Sequence, residues 1–162
     1  MSITGVRVGQ GFDIHRFSDD PNRPLVLGGV TFEGVRGLEG HSDADAIAHA
    51  CADALLGAAG LGDIGQHYPD TDPAWKGADS LAILRDVASK LSALGWRISN
   101  VDCSVVCEEP RIAPHRDAMI ALLSAAAGAP ISVKGRRAEG LGSIGRGEGI
   151  ACFASALIMK ES

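Results

Sequence analysis

Aromatic residues are scarce in this sequence, since Phe, Trp and Tyr together make up 4% of its 162 residues. The core must therefore be built from Val, Ile, Leu and Ala, within a hydrophobic fraction of 46%. The length is most economically explained by a single domain over residues 1–162, which is long enough to bury a sizeable core. Glycine is abundant, with 21 residues, and its clustering between positions 135 and 149 indicates close backbone approach there.

Four other features are absent, and each argues against a class of protein. No apolar run approaches the ~18 residues of a membrane span, and the first residues lack a signal or transit peptide, so we expect a cytoplasmic protein with no membrane partner. The net charge of −5 argues against a general nucleic-acid binder, although Arg136-Arg137 with Arg146 could form a local basic patch. The four cysteines show no C-x-x-C spacing, so we expect buried free thiols in a reducing compartment.

Helical and strand patterns alternate along the chain. We expect strands at 6–15, 96–109, 130–135 and 149–160, and a hairpin from Leu25–Leu27 and Val30–Phe32 across two glycines. Helices are expected from Ser42 or Asp43 through Ala58, at 80–94 after a cap at Asp79 or Ser80, and at 114–128. The first strand lacks most of a dinucleotide-binding pattern. The fold class predicted is α+β, a mixed β-sheet with helices packed on one face.

A histidine and aspartate set near the start of the chain predicts a metal site. Asp13 and His15 lie two residues apart in a strand pattern, which directs both side chains to the same face. His49, in the following alanine-rich helix, is the candidate third ligand of a catalytic zinc with one open position. The alternative left open by spacing is that Asp45 and His49, four residues apart, pair on one helix face without any metal.

Five sequence tracts, taken together and in order, resemble one enzyme family. These tracts are GFDIH, GHSDADAIAHACADALLGAAGLGDIG, YPDTDPAWKGADS, EEPRIAPH and IGRGEGIA. They are similar to the 2-C-methyl-D-erythritol 2,4-cyclodiphosphate synthases of the non-mevalonate isoprenoid pathway. The resemblance implies a homotrimer with active sites at the subunit interfaces, and no cytidylyltransferase domain is expected. It also implies a phosphorus–oxygen lyase that cyclises 4-diphosphocytidyl-2-C-methyl-D-erythritol 2-phosphate by intramolecular phosphoryl transfer and releases CMP.

The same resemblance assigns roles to individual residues. It implies zinc at Asp13, His15 and His49, magnesium or manganese held by Glu139 through the substrate phosphates, and catalytic roles for His41 and Arg137. The positions matching substrate-binding residues are Asp13, Ile14, His15, His41, Ser42, Asp63, Ile64, Gly65, Tyr68, Pro69, Asp70, Thr71, Asp72, Cys107, Glu108, Glu109, Pro110, Arg111, Ile112, Ala113, Arg136, Arg137, Ala138, Glu139, Ser143 and Arg146.

One stretch departs from the family pattern. Arg137 stands where a threonine is usual, and Ser143 and Ile144 replace a usual phenylalanine and threonine. Arginine is a strong phosphate ligand, so we expect an active synthase in which Arg136 or Arg137 takes over part of the phosphate clamp. Two alternatives remain open. One is a catalytically weakened trimeric metal protein that binds or senses an isoprenoid diphosphate in the trimer cavity, and the other is a metal phosphoesterase that yields an open-chain product.

Overall fold

The structure is a computed structural model that describes residues 5–160. Its strands are β1 (Val6–Arg16), β2 (Leu25–Leu27), β3 (Val30–Phe32), β4 (Trp96–Val106), β5 (Ile131–Arg136) and β6 (Gly149–Lys160). Its helices are α1 (Ala46–Ala59), α2 (Ile64–His67), α3 (Ser80–Ala93), α4 (Arg116–Ala127) and α5 (Gly142–Gly145). Short 3-10 turns cover Pro73–Trp75 and Ala113–His115. In the described residues, no helix is long and apolar enough to cross a membrane.

The four long strands form one sheet in the order β1-β6-β4-β5, and β2 pairs with β3 in a separate hairpin. Strand β6 is antiparallel to both β1 and β4, whereas β4 and β5 are parallel, which confirms the predicted mixed sheet. The pairing places Asp13, Cys152, Val105 and Gly135 in one row across the sheet. The two ends of this row lie on opposite edges, β1 and β5.

Helix α1 lies directly against β1 because small residues line both surfaces. A Cβ atom added at Gly9 would lie 2.0 Å from the carbonyl oxygen of Ala54, and one at Gly11 would lie 2.0 Å from that of Ala50. Neither position has room for any side chain. The residues of β1 that alternate with these glycines face away from the helix, since strand side chains alternate between faces.

The buried core is aliphatic, as the composition predicts, and lies between the helices and one face of the sheet. All four cysteines are buried and free, which confirms the part of the prediction that concerns their burial and pairing. The opposite face of β1 and β6 carries exposed apolar side chains, among them Val8 (73% exposed), Phe12 and Phe153. The Phe12 and Phe153 rings pack with centroids 5.0 Å apart. The prediction of helices on one face of the sheet is therefore confirmed, and the other face is left partly apolar.

The start of α1 differs from the sequence prediction. Its N-cap is Asp45, whose carboxylate accepts hydrogen bonds from the backbone N–H groups of Ile47 and Ala48. Ser42 and Asp43 instead contact the start of α3. The same carboxylate also accepts from the N–H groups of Gly28 and Gly29 in the hairpin. The suggested pairing of the Asp45 and His49 side chains is therefore wrong, because the hairpin and the helix end engage both oxygens.

Two four-residue helices, α2 and α5, were not predicted, since neither is long enough to show a helical period. The expected close approach within the glycine-rich segment is found. A Cβ atom at Gly145 would lie 2.2 Å from the carbonyl carbon of Gly140. The prediction about the first residues of the chain falls partly on residues 1–4, which lie outside the described residues.

Candidate metal centre and active site

Three side chains from two elements meet at the end of β1. Asp13 and His15 project from β1 towards α1, and His49 projects from the first turn of α1, as the spacing predicts. One potential ligand atom from each residue lies within 4.8 Å of the other two. In the described part of the chain, no other group of three such side chains does so. We call these residues the Asp13 cluster.

The contacts of the Asp13 cluster direct both imidazoles at one carboxylate oxygen. Asp13 Oδ2 lies 2.9 Å from His15 Nε2 and 3.2 Å from His49 Nδ1. Burial acts to raise the pKa of Asp13, but the two imidazoles outweigh it and lower the pKa to about 2. Burial lowers and the Asp13 contact raises the pKa of His15, with a net upward shift. The carboxyl group is thus held ionised between two potential nitrogen ligands.

The hydrogen-bond inventory of His15 indicates that a cation fits this cluster. Its Nδ1 lies 2.5 Å from the carbonyl oxygen of Glu39, so this nitrogen is the donor and Nε2 carries the lone pair. That Nε2 is buried and receives no hydrogen bond, because the group nearest to it is Asp13 Oδ2 at 2.9 Å, which is itself an acceptor. A buried lone pair beside an ionised carboxylate and a second imidazole is the donor set of a divalent metal site, and zinc is typical of it.

A cavity of about 300 Å³ opens beside the Asp13 cluster. Besides the cluster, its lining residues are Gly40, His41, Ser42, Ile64, Tyr68, Asp70, Trp75 and Ile83. The structure therefore brings together eight residues predicted for the site, the three of the Asp13 cluster included. The predicted residues Asp63, Gly65, Pro69, Thr71 and Asp72 belong to the same segments but do not line the cavity. Gly40, Trp75 and Ile83 were not predicted. Only Trp75 carried a usable signal, as a lone aromatic side chain in a polar loop.

The loop that closes this cavity is held at both ends. The Tyr68 hydroxyl donates to Asp86 on α3 at 2.5 Å, and its ring packs edge-on against Trp75, with centroids 4.9 Å apart. His41 Nε2 donates to the carbonyl oxygen of Asp72 at 3.1 Å. A carbonyl oxygen only accepts, so this contact fixes which ring nitrogen of His41 carries the hydrogen. Tyr68 thus anchors the predicted loop to α3.

The segment predicted to bind cytidine forms a second cavity of about 300 Å³. Its lining residues are Cys107, Glu108, Glu109, Pro110, Arg111, Ile112, Ala113, Arg116, Gly135, Arg136 and Arg137. Four arginines against two glutamates give this cavity a net positive lining, which suits a phosphorylated ligand. Arg116 was not predicted, because the sequence shows it only as the start of a helix.

Arg137 is paired within this second cavity. Its Nη2 and Nε lie 2.8 Å and 3.1 Å from Glu108 Oε2, and the Gly140 N–H donates to Glu108 Oε1. The Glu108 side chain therefore joins the 107–113 segment to the loop that follows β5. Arg146, predicted near the phosphates, pairs with Glu148 at 3.2 Å. Ser143 instead lines a third cavity of about 210 Å³ that also borders His15.

The Asp13 cluster and the arginine-lined cavity lie on opposite edges of the sheet. Asp13 and Gly135 stand in the same row but are three strand spacings apart, or roughly 14 Å. Glu139, the predicted ligand of a second ion, follows β5 and is not a member of the Asp13 cluster. Within one protomer the structure does not bring these two sets of residues together.

A half-buried carboxylate and two imidazoles beside a cavity, on a mixed sheet covered by helices on one face, define an α+β protein with a cluster of side chains that fits a divalent metal. The sequence model of the YgbB family matches residues 6–159. The chain therefore belongs to the YgbB family.

Relatives match this chain over nearly its whole length. The chain is 52% identical over 159 residues to the 2-C-methyl-D-erythritol 2,4-cyclodiphosphate synthase of Bordetella petrii, covering 96% of this chain and 97% of the relative. The IspF–CDP complex of Plasmodium falciparum superimposes with a TM-score of 0.84 at 35% identity, covering 99% and 100% of the two chains. The bifunctional IspDF of Campylobacter jejuni gives a TM-score of 0.91 at 39% identity, covering 97% of this chain and 43% of that chain.

Proposed function

We propose that this chain is a 2-C-methyl-D-erythritol 2,4-cyclodiphosphate synthase that acts through residues 1–162 as one domain. It converts 4-diphosphocytidyl-2-C-methyl-D-erythritol 2-phosphate to the 2,4-cyclodiphosphate and releases CMP. The observation that carries the proposal is the Asp13 cluster beside a cavity, in a chain 52% identical to a curated synthase over 96% of its length. Membership of the family and the likeness to solved synthase structures support the same conclusion.

The reaction makes one phosphorus–oxygen bond and breaks one. An oxygen of the 2-phosphate attacks the β-phosphorus, and the bond from that phosphorus to the bridging oxygen breaks, so that CMP leaves with the electron pair. The attacking phosphate is already largely ionised near neutral pH, so the protein needs no strong base. Its task is to hold the two phosphates in line and to stabilise the charge that develops between them.

We assign the cation sites by their donor groups. Asp13, His15 and His49 would hold zinc, and Glu139 would help to hold magnesium or manganese through the substrate diphosphate. Such cations supply positive charge to the phosphoryl oxygens. His41 is oriented by the Asp72 carbonyl and faces the same cavity, where we assign it to the phosphates with Ser42. Asp63, Ile64 and Gly65, with the loop from Tyr68 through Asp72, are assigned to the methylerythritol end.

We infer that the working enzyme is a homotrimer with its sites between subunits. One protomer separates the Asp13 cluster from the arginine-lined cavity by roughly 14 Å. A symmetric assembly that sets the β5 edge of one protomer against the β1 edge of the next would close this gap. The exposed apolar side chains of β1 and β6, including Phe12 and Phe153, supply a surface that such an assembly would bury. An isoprenoid diphosphate could occupy the cavity between three such faces.

In this arrangement the arginine-lined cavity takes the cytidine diphosphate end. Cys107 through Ala113 would bind the base through backbone groups, and Arg136 or Arg137 would take part in the phosphate clamp, in place of the threonine usual in the family. Arg137 has to exchange its contact with Glu108 for a phosphate to do so. The positively charged lining of the cavity supports this assignment.

A single assay tests the function. Protein loaded with zinc is given magnesium and 4-diphosphocytidyl-2-C-methyl-D-erythritol 2-phosphate, and the products are followed by ³¹P NMR. We expect CMP and the cyclic diphosphate in equal amounts, loss of both with His49→Ala, and retention with His67→Ala, a histidine outside the Asp13 cluster. No turnover by well-folded, metal-loaded protein would favour the binding protein instead. An open-chain diphosphate product would indicate a phosphoesterase.

A further inference from the structure

Two residues lie behind His49 that belong neither to the Asp13 cluster nor to the lining of its cavity. Ser80, the first residue of α3, is fully buried, and its Oγ lies 2.8 Å from His49 Nε2. The Ser80 hydroxyl donates to Asp43 Oδ1, and the Ser80 backbone N–H donates to Asp43 Oδ2 at 3.1 Å. We call this series, from the imidazole through Ser80 to Asp43, the His49 relay. Neither Ser80 nor Asp43 borders the cavity.

The hydrogens of the relay can be assigned from its chemistry. An ionised carboxylate only accepts hydrogen bonds, so the single hydroxyl hydrogen of Ser80 points to Asp43. Ser80 Oγ must then accept the hydrogen of His49 Nε2. A neutral imidazole with its hydrogen on Nε2 carries its lone pair on Nδ1, the nitrogen that lies 3.2 Å from Asp13 Oδ2.

We propose that Ser80 and Asp43 are positioning residues that fix the tautomer of His49, so that Nδ1 is available as a metal ligand. The inference rests on the metal site of the proposed function. Metal-ligating histidines commonly donate their other ring N–H to a neighbouring acceptor, which sets the tautomer and orients the ring. His15 has the complementary arrangement, with Nδ1–H donated to the Glu39 carbonyl and Nε2 turned to Asp13.

Backbone hydrogen bonds hold the two segments that carry the relay. The N–H of Asp43 donates to the carbonyl of Ala78 at 3.1 Å, and the N–H of Gly77 donates to the carbonyl of His41 at 2.8 Å. The segments 41–43 and 77–80 therefore hold each other, which fixes the position of Ser80 relative to Asp43. Ser42 Oγ lies 3.2 Å from His49 Nε2 and 3.4 Å from Ser80 Oγ, which adds a second hydroxyl to the same ring nitrogen.

The test uses Ser80→Ala, with Ser89→Ala as the matched control. Ser89 lies on the same helix, and its hydroxyl bonds only to the backbone of its own helix, through the Arg85 carbonyl. Zinc affinity of the metal-free full chain is measured by competition with a chelator, using Zn²⁺ alone. We expect Ser80→Ala to weaken zinc binding by about tenfold to a hundredfold, the usual cost of removing such a partner. Ser89→Ala should bind zinc as the wild type does.

The tautomer itself is read by long-range ¹H–¹⁵N NMR of the metal-free protein, at a pH where His49 is neutral. The wild type should show hydrogen on Nε2. Asp43→Asn keeps the side-chain shape but can donate its amide hydrogen to Ser80, which frees the Ser80 hydroxyl hydrogen to point at His49. We therefore expect a shift towards the form with hydrogen on Nδ1, and weaker zinc binding.

The possible outcomes separate the two proposals. If wild-type protein binds no zinc, the metal site itself is wrong. If it binds zinc, but Ser80→Ala matches Ser89→Ala and Asp43→Asn leaves hydrogen on Nε2, the relay is refuted while the metal site stands. Weaker zinc binding with an unchanged tautomer would also overturn the relay, because it would indicate a steric role for Ser80 alone.

Discussion

Replacing Gly11 with alanine is expected to damage the fold and the metal centre together. The added Cβ would lie 2.0 Å from the Ala50 carbonyl oxygen and 2.6 Å from the Ala54 nitrogen, both backbone atoms of α1. The helix has to retreat from β1 by roughly 1–2 Å to restore ordinary contact distances. His49 precedes Ala50 in α1, and Asp13 lies two residues beyond Gly11 in β1, so the same movement separates two of the three ligands.

The magnitude follows from the rigidity of the two surfaces. Overpacking of a core typically costs about 1–3 kcal/mol, and we expect the upper end here because the obstacle is backbone rather than a side chain that can rotate. Metal–ligand distances tolerate only about 0.2 Å, so we expect zinc affinity to fall at least about tenfold. Urea unfolding in the presence of a chelator gives the first quantity, and competition with a zinc chelator gives the second.

The matched control is Gly57→Ala, in the facing helix. A Cβ atom there would meet only the Gln10 carbonyl oxygen, at an ordinary 3.6 Å. Alanine in a helix interior should stabilise the protein by about 0.5–1 kcal/mol. The contrary result is a Gly11→Ala variant that unfolds at the same urea concentration as the wild type and binds zinc equally well. That result would show that the close contact of α1 with β1 does not determine the geometry of the metal centre.

Three other perturbations have defined outcomes. Asp45→Ala leaves four backbone N–H donors without their acceptor, two of them in the hairpin. The free energy of unfolding in urea should therefore fall by about 3 kcal/mol. A decrease below about 1 kcal/mol would contradict the role of Asp45 as the helix cap. Tyr68 is the only tyrosine of the sequence. Burial, and then the hydrogen bond to the Asp86 carboxylate, raise its pKa to about 12 from the usual 10. The absorbance of its phenolate should therefore appear only at a pH well above 10. Folding stability should then fall as pH rises from 10 to about 12, since the tyrosine loses its proton at lower pH in the unfolded chain than in the folded one. Asp86→Asn should lower the midpoint of the Tyr68 titration, and titration of wild-type Tyr68 near 10 would refute the contact. Glu108→Gln should release Arg137 and tighten the binding of CDP, whereas Arg137→Thr should weaken CDP binding and alter turnover. Unchanged CDP binding and kinetics in both variants would show that Arg137 takes no part in the phosphate clamp.

The parts of the structure with a clear sequence period were predicted well. The alternation in β1 placed Asp13 and His15 on one face, and the alanine-rich pattern of α1 placed His49 opposite them, because both depend only on local geometry. The two helices with polar caps and C-terminal glycines were likewise found within a few residues. The cap of α1 was misplaced because three candidates, Ser42, Asp43 and Asp45, precede it. Only the hairpin glycines, distant in sequence, decide among them.

Contacts between distant segments were beyond the reach of the sequence. Nothing in the local pattern around Ser80 indicates that its hydroxyl lies behind His49, 31 residues earlier. Arg116 is a helix residue in the sequence, and only the packing of α4 beside β5 brings it to the arginine-lined cavity. The ion pair of Arg137 with Glu108 depends on the pairing of β4 with β5, which no short-range signal specifies.

Strand β1 uses its two faces for different purposes. The odd-numbered residues from Gly9 to His15 face α1, where they contact the helix or supply the metal donors. The even-numbered residues Val8, Phe12 and Ile14 lie on the uncovered face. Insertion or deletion of one residue within this strand would exchange the residues of its two faces. Phenylalanine would then lie in the metal site, and the carboxylate would lie on the exposed apolar face. A substitution in β1 disturbs one face of the strand, whereas a change in its length disturbs both faces at once.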